Sequence, residues 1–158
     1  MQQDQIHIRE GQPADIPAVM GLIHELAHYE RAAHEVINTP EQLLEDGFGK
    51  QPLYGFYVAE FQEIIAGMAL FYYRYSTWKG KVLYLEDLYV KPEFRQQKIG
   101  TLLLKALAQR AGQEKCQRMS WQVLNWNEPA INFYKKLGAH LDDEWINVFI
   151  EAKDYDLI

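Results

Sequence analysis

Two adjacent carboxylates, Glu86 and Asp87, stand in an otherwise apolar run, Tyr84-Leu-Glu-Asp-Leu-Tyr-Val90, that reads as a strand. Directly after it, Lys91-Pro-Glu-Phe turns into a basic, amide-rich loop, Arg95-Gln-Gln-Lys-Ile-Gly-Thr101, that opens a helix. Such a junction leaves backbone N–H groups unpaired at the positive end of a helix dipole, where a phosphate or pyrophosphate can sit. Carboxylates at the middle of the neighbouring strand can hold a reacting group against that anion seat. The pairing predicts a nucleotide-tailed cofactor.

The elements that must position these groups follow from alternation and helical periodicity. Ile6–Arg9 alternates as a short first strand. Ile16, Val19, Ile23 and Leu26 recur at helical spacing between Pro13 and about Glu30. Thr39-Pro-Glu-Gln42 is a capping box with Pro at the first helical position, and Gly47 and Gly49 end the helix it starts. Residues 54–60, 64–75 and 81–90 are rich in aromatic and β-branched side chains and read as strands, with 76–80 as the hairpin loop between the last two. Leu102, Leu103, Ala106 and Leu107 mark a third helix stopping near Gly112, then a strand at 118–124. A fourth helix spans 127–137 with Gly138 as its C-cap, and Trp145–Ile150 is read as a final strand. The order predicts an α/β fold with one βαβ crossover, and a crevice where its two parallel strands diverge.

The chain is 158 residues long, the size of one domain spanning 1–158. Its net charge of -6 argues against a nucleic-acid surface; the acid excess suits a cationic small substrate, or serves solubility alone. No apolar run approaches the roughly 20 residues of a membrane helix. Met1–Gln5 lacks the pattern of a secretory leader. The one cysteine, Cys116, has no internal disulfide partner, so a reducing, cytoplasmic home is expected, with the side chain buried. The five His show no metal-ligand spacing, so no metal is expected.

Arg95-Gln-Gln-Lys-Ile-Gly100 resembles the acetyl-CoA loop of the GNAT superfamily of N-acetyltransferases, as do the strand 85–90 before it and Asn127-Glu-Pro-Ala-Ile-Asn-Phe-Tyr-Lys-Lys-Leu-Gly138 after it. Glu25-Leu-Ala-His-Tyr-Glu30, Leu43-Leu-Glu-Asp-Gly-Phe-Gly49, Tyr75-Ser-Thr-Trp-Lys-Gly80 and Trp126-Asn-Glu-Pro129 are similar to the diamine (spermidine/spermine) subfamily, the third block to its thialysine-preferring branch. The resemblance implies a mixed, mostly antiparallel central sheet with flanking helices and a V-shaped splay between the fourth and fifth strands. It implies acetyl-CoA as acetyl donor, a small-molecule amine as acceptor, and a homodimer.

The resemblance also implies roles. Leu88 would aim a backbone N–H at the acetyl oxygen, and Leu88, Tyr89 and Val90 would pair with the pantetheine arm. Arg95, Gln96, Gln97, Lys98, Ile99, Gly100 and Thr101 would surround the pyrophosphate. Asn127, with Glu128, Pro129 and Ala130, would hold the arm from the other side. Tyr134, seven residues on and about two turns away, would protonate the leaving thiolate. Glu86 is the candidate base, acting through a water; Asp87, Tyr29, Glu30, Trp78 and Asp143 are candidate amine contacts. Such a base is needed: a primary amine is neutral about once in a thousand molecules at pH 7.4, a cost of ~4 kcal/mol.

Two departures from the family pattern stand out. Lys98 replaces the loop's first glycine, losing conformational freedom while adding a cation. Ser76 stands where polyamine-preferring members carry an acid. Three readings follow: acetylation of a small amine, acetylation of a protein or peptide lysine, and a non-catalytic acetyl-CoA-binding regulator.

Overall fold

The computed structural model describes residues 6–158; Met1–Gln5, on which the expectation of no secretory leader rests, lies outside them. The chain forms two compact units, Met1–Gln122 and Val123–Ile158.

The first unit is built on a five-stranded sheet in the order β1 (His7–Glu10), β2 (Gly55–Phe61), β3 (Ile64–Ser76), β4 (Gly80–Val90) and β5 (Arg118–Ser120). The first four strands are antiparallel neighbours, and β5 joins β4 in parallel. That parallel step needs a crossover, supplied by α3 (Ile99–Gln113). One face of the sheet is covered by α1 (Ile16–Tyr29), whose buried Ile16, Val19, Met20 and Leu22 share a core with Phe56, Val58, Met68, Leu70 and Tyr89. Leu43 of α2 (Pro40–Phe48) joins that core. The interleaved residues on the other face, Ala69, Phe71, Leu83 and Leu85, are buried on the side of α3, which contributes Leu103 and Leu107.

Local chemistry sets the element ends. Thr39 caps α2 by accepting from the Gln42 N–H at 3.1 Å. The reciprocal half of the box is absent: the Gln42 amide donates to Asp46, and the Thr39 N–H donates to Asn38. α1 stops at Glu30 because Arg31 turns left-handed at φ 60°. There the Ala32 N–H returns to the Ala27 carbonyl and the Arg31 N–H to that of His28. α3 ends in the same way just past Gly112, with Lys115 in the left-handed position and the Cys116 N–H returning to the Ala111 carbonyl.

The splay between the fourth and fifth strands is visible in the register. β4 and β5 pair only from Val82–Arg118 to Tyr84–Ser120, while β4 runs on to Val90. β5 is therefore shorter than the 118–124 read from sequence. Cys116 is half-exposed, not buried, because it sits in the turn that closes α3.

In the second unit, α4 (Glu128–Lys136) is capped by the Asn127 side chain, which accepts from the Ala130 N–H at 3.4 Å. It ends at Gly138, φ 84°, with the Gly138 and Ala139 N–H groups returning to Lys135 and Tyr134. The expected final strand at Trp145–Ile150 does not form among the described residues; its side chains are exposed, and only a 3-10 turn, Ala152–Leu157, follows. Apolar composition suits this segment to a sheet, but a strand exists only through a ladder partner.

Candidate active site

The site is organised by an irregularity in β4. Leu70 pairs with Asp87 and Phe71 with Leu85, so Glu86 is the extra residue of a β-bulge. Strict alternation would have sent Glu86 and Asp87 to opposite faces. Asp87 shares Leu70's face, the one covered by α1, and the bulge turns Glu86 toward the same side. Glu86 raises the pKa of Asp87, of Glu30 at the end of α1, and of Tyr72 and Tyr84, which pair on that face.

Asp87 is half-buried and its carboxyl is pushed up to about 7, first by burial, then by Glu86 and Glu30. Burial, then Glu86, also raises Glu30. Three carboxylates thus act on one another's charge here, Glu86 and Glu30 on Asp87 and Glu86 on Glu30. The arrangement can accept a proton and can hold a cation.

Beyond Val90, a 3-10 turn at Pro92–Phe94 leads into two left-handed residues, Gln96 at φ 65° and Lys98 at φ 61°. Lys98 is the N-cap of α3 and gives no capping oxygen to the first turn. Ile99 is buried and anchors the helix start, Gly100 is half-buried, and Gln96, Gln97, Lys98 and Thr101 are exposed. Left-handed turns alternating with ordinary ones gather successive N–H groups into a concavity that accepts anions. The loop therefore fits a phosphate-bearing cofactor.

Arg95 points elsewhere. Its Nε donates to the Val90 carbonyl at 3.0 Å, and its guanidinium lies 5.7 Å from the Tyr89 ring centre. Tyr89 itself is buried against α1, where burial first and then Glu25 push its hydroxyl up, leaving the backbone as the part able to meet a cofactor. Leu88 pairs with Ala69 and points to the face opposite Asp87.

Other expected site residues are more open. Tyr29 is 39 % exposed at the end of α1. Trp78 is 84 % exposed in the β3–β4 turn, where its N–H and that of Lys79 donate to the Ser76 hydroxyl. In the second unit, Asn127 and Tyr134 are half-buried at the start and last turn of α4, with the Tyr134 ring 5.4 Å from that of Phe133. Glu128 and Pro129 are exposed and Ala130 half-buried in the first turn; Asp143 is exposed and lies in no strand. Among the described residues, no group of three or more His, Cys, Asp or Glu is arranged to hold a metal ion, and no helix is long and apolar enough to cross a membrane.

Tyr72, Arg74 and Tyr84 were not singled out from sequence. Counting the antiparallel register back from the 76–80 turn places all three on the acid-bearing face.

Residues 21–139 match the model of the Acetyltransferase (GNAT) family. The chain belongs to the GNAT acetyltransferase family. Within that family it is 42% identical over 142 residues to the thialysine N-epsilon-acetyltransferase of Bos taurus, covering 85% of this chain and 84% of the relative. It is 38% identical over 143 residues to the human spermidine/spermine N(1)-acetyltransferase-like protein 1, covering 86% of this chain but 21% of that longer protein. The fold is shared with an aminoglycoside N-acetyltransferase solved in complex with CoA, at a TM-score of 0.74 and 18% identity, covering 94% of this chain and 95% of the other. This GNAT acetyltransferase is accordingly an acyltransferase with a mixed, mostly antiparallel sheet.

Proposed function

We propose that this chain moves the acetyl group of acetyl-CoA directly to a primary amine of a small molecule, either a lysine-like amino acid such as thialysine or a diamine or polyamine. The observation that carries the reading is the bulge at Glu86, which gathers Glu86, Asp87 and Glu30 on one face of β4, just before the uncapped start of α3. Acids gathered beside an anion-accepting turn suit an ammonium presented to a CoA thioester. The relatives that act on thialysine support the acceptor class, and the neighbour solved with CoA supports the donor.

In this mechanism the ammonium gives up a proton through a water to Glu86. The amine nitrogen then adds to the acetyl carbon and gives up its second proton to water, which makes good the proton that Tyr134 donates, as the C–S bond breaks. The Leu88 N–H stabilises the developing oxyanion; a donor of this kind is worth roughly 3 kcal/mol in other acyl transfers. Tyr134 returns a proton to the thiolate. In the first unit, Gln96 to Thr101 are assigned to the pyrophosphate and Tyr29, Glu30, Trp78 and Asp87 to the amine; in the second, Asn127 is assigned to the pantetheine arm and Asp143 to the amine. A homodimer is the proposed state, supported by the exposed Trp145, Ile146, Val148 and Phe149 and tested by light scattering of the purified chain; the cytoplasmic location is proposed on the lone Cys116.

The test is thiol release from acetyl-CoA across diamines, lysine analogues and a lysine peptide. Turnover with small amines upholds the reading. Turnover with peptide alone assigns a protein-modifying enzyme, and tight acetyl-CoA binding with no turnover assigns a regulator.

A further inference from the structure

The acid-bearing face of the β3–β4 hairpin is electrically polarised along its length. At one end stand Glu86, Asp87 and, from α1, Glu30. Next comes the cross-strand pair Tyr72–Tyr84, ring centres 5.2 Å apart. Beyond it, Arg74 shares the face of Leu70 and Tyr72, opposite Val82, and its guanidinium lies 4.8 Å from the Tyr84 ring centre. The two tyrosines sit between charges of opposite sign: burial raises both hydroxyls, Glu86 raises them further, and Arg74 opposes it.

Arg74 is exposed and forms no ion pair among the described residues. From Phe71 to Leu85 the chain carries Arg74, Lys79 and Lys81 and no acid at all. Lys81 is already engaged elsewhere, by Glu114 at 2.7 Å and over the Tyr73 ring on the opposite face. Ser76 is occupied in closing the turn. The hairpin itself therefore offers a second ammonium no counter-charge at this end, whereas it offers an anion Arg74.

We propose that Arg74 binds the free carboxylate of the amine substrate, making the enzyme selective for ω-amino acids over diamines, polyamines and peptide lysines that lack that carboxylate. The inference rests on the amine N-acetyltransferase reading and specifies which amines that site takes. The strand spacing agrees: same-face residues recur every ~7 Å. The guanidinium, leaning back over Tyr84, is then about one such step from the carboxylates, and the ω-nitrogen and carboxylate of an extended lysine-like molecule are about 7 Å apart. Guanidinium is also suited to hold a carboxylate through two parallel hydrogen bonds.

The test compares kcat/KM for thialysine, its α-carboxamide and its decarboxylated counterpart, bis(2-aminoethyl) sulfide, in the wild type and in Arg74→Gln and Arg74→Lys. All three present the same amine beside the same thioether. The wild type is expected to favour thialysine by roughly 10- to 100-fold over the other two, the range of a charge-assisted hydrogen bond. Arg74→Gln removes that preference while keeping turnover of the sulfide, which also shows that the variant is folded; Arg74→Lys restores part of the preference. Equal use of all three by the wild type, or a preference that survives Arg74→Gln, overturns this inference and leaves the acetyltransferase reading standing. No turnover of any amine overturns both.

Discussion

The Arg95 guanidinium lies 5.8 Å from the ring centre of Tyr29, linking the loop that precedes α3 to the last turn of α1. The same guanidinium stacks near Tyr89 and its Nε holds the Val90 carbonyl. A residue of the cofactor loop is thereby committed to the side where the amine contacts stand.

Arg95→Gln is expected to raise the amine KM about 3- to 5-fold, the scale of one exposed cation–π contact. The Kd for acetyl-CoA, measured by calorimetry, should move less, and Arg95→Lys should recover part of the amine KM. A variant in which only acetyl-CoA binding weakens would return Arg95 to the phosphate.

The raised Asp87 carboxyl makes a pH prediction. Burial and two neighbouring acids lift it to about 7, so it binds a proton more tightly in the folded chain than in the unfolded one. Stability is therefore expected to fall as pH rises from about 4 to about 7, and Asp87→Asn should flatten that part of the profile in urea titrations. Glu30→Gln removes one of the charges that raise it. The limb should then shift to lower pH, both in stability and in kcat/KM for the amine.

Tyr134→Phe is expected to lower kcat by tenfold or more with little change in amine KM, because a proton donor to the leaving thiolate acts after binding. Unchanged kcat would remove Tyr134 as the acid.

Arg9 holds Asp15 through two hydrogen bonds, at 2.8 and 2.9 Å, and reaches Glu60 at 2.6 Å, tying β1 to the start of α1 and to β2. The Arg9 hydrogen bond is the largest influence lowering the Asp15 pKa, outweighing burial. A depressed folded pKa means that this stabilisation is present above the ordinary carboxylate range and is lost as pH falls through the folded value. Arg9→Met should cost about 3 kcal/mol at neutral pH by stranding a nearly buried carboxylate, and much of that deficit should vanish in acid.

Lys98 at φ 61° occupies a backbone region that an L-residue enters at a cost of about 1 kcal/mol. Lys98→Gly is expected to raise the thermal midpoint by a few degrees. The same change should make acetyl-CoA affinity less sensitive to salt, since one cation near the phosphates is gone. A lower midpoint would show that the lysine side chain holds the loop by contacts that outweigh the strain.

Most of the sheet was legible because its strands are bounded by turns and built of aromatic and β-branched residues. The hairpin at 76–80 and the parallel step through α3 could be read from sequence for that reason. Glu86 and Asp87 were legible as a pair, but their common face was not: a bulge is a property of register, and alternation alone places neighbours on opposite sides. The face of Arg74 follows by counting back from the 76–80 turn, but its reach over the Tyr84 ring is a matter of side-chain direction that no sequence pattern carries. The strand expected at 145–150 failed for a different reason. Its residue types favour extended backbone, but a rung of a ladder belongs to two segments and cannot be read from one.

The left-handed turn at Arg31 has a consequence for how this chain tolerates changes of length. Each residue of a helix advances the face by about 100°, so one insertion within α1 would swing Glu30 away from Glu86 and Asp87. One inserted after Ala32, beyond the closed helix end, would leave that orientation untouched. Variation in length is thus permitted on one side of a single peptide turn and forbidden on the other.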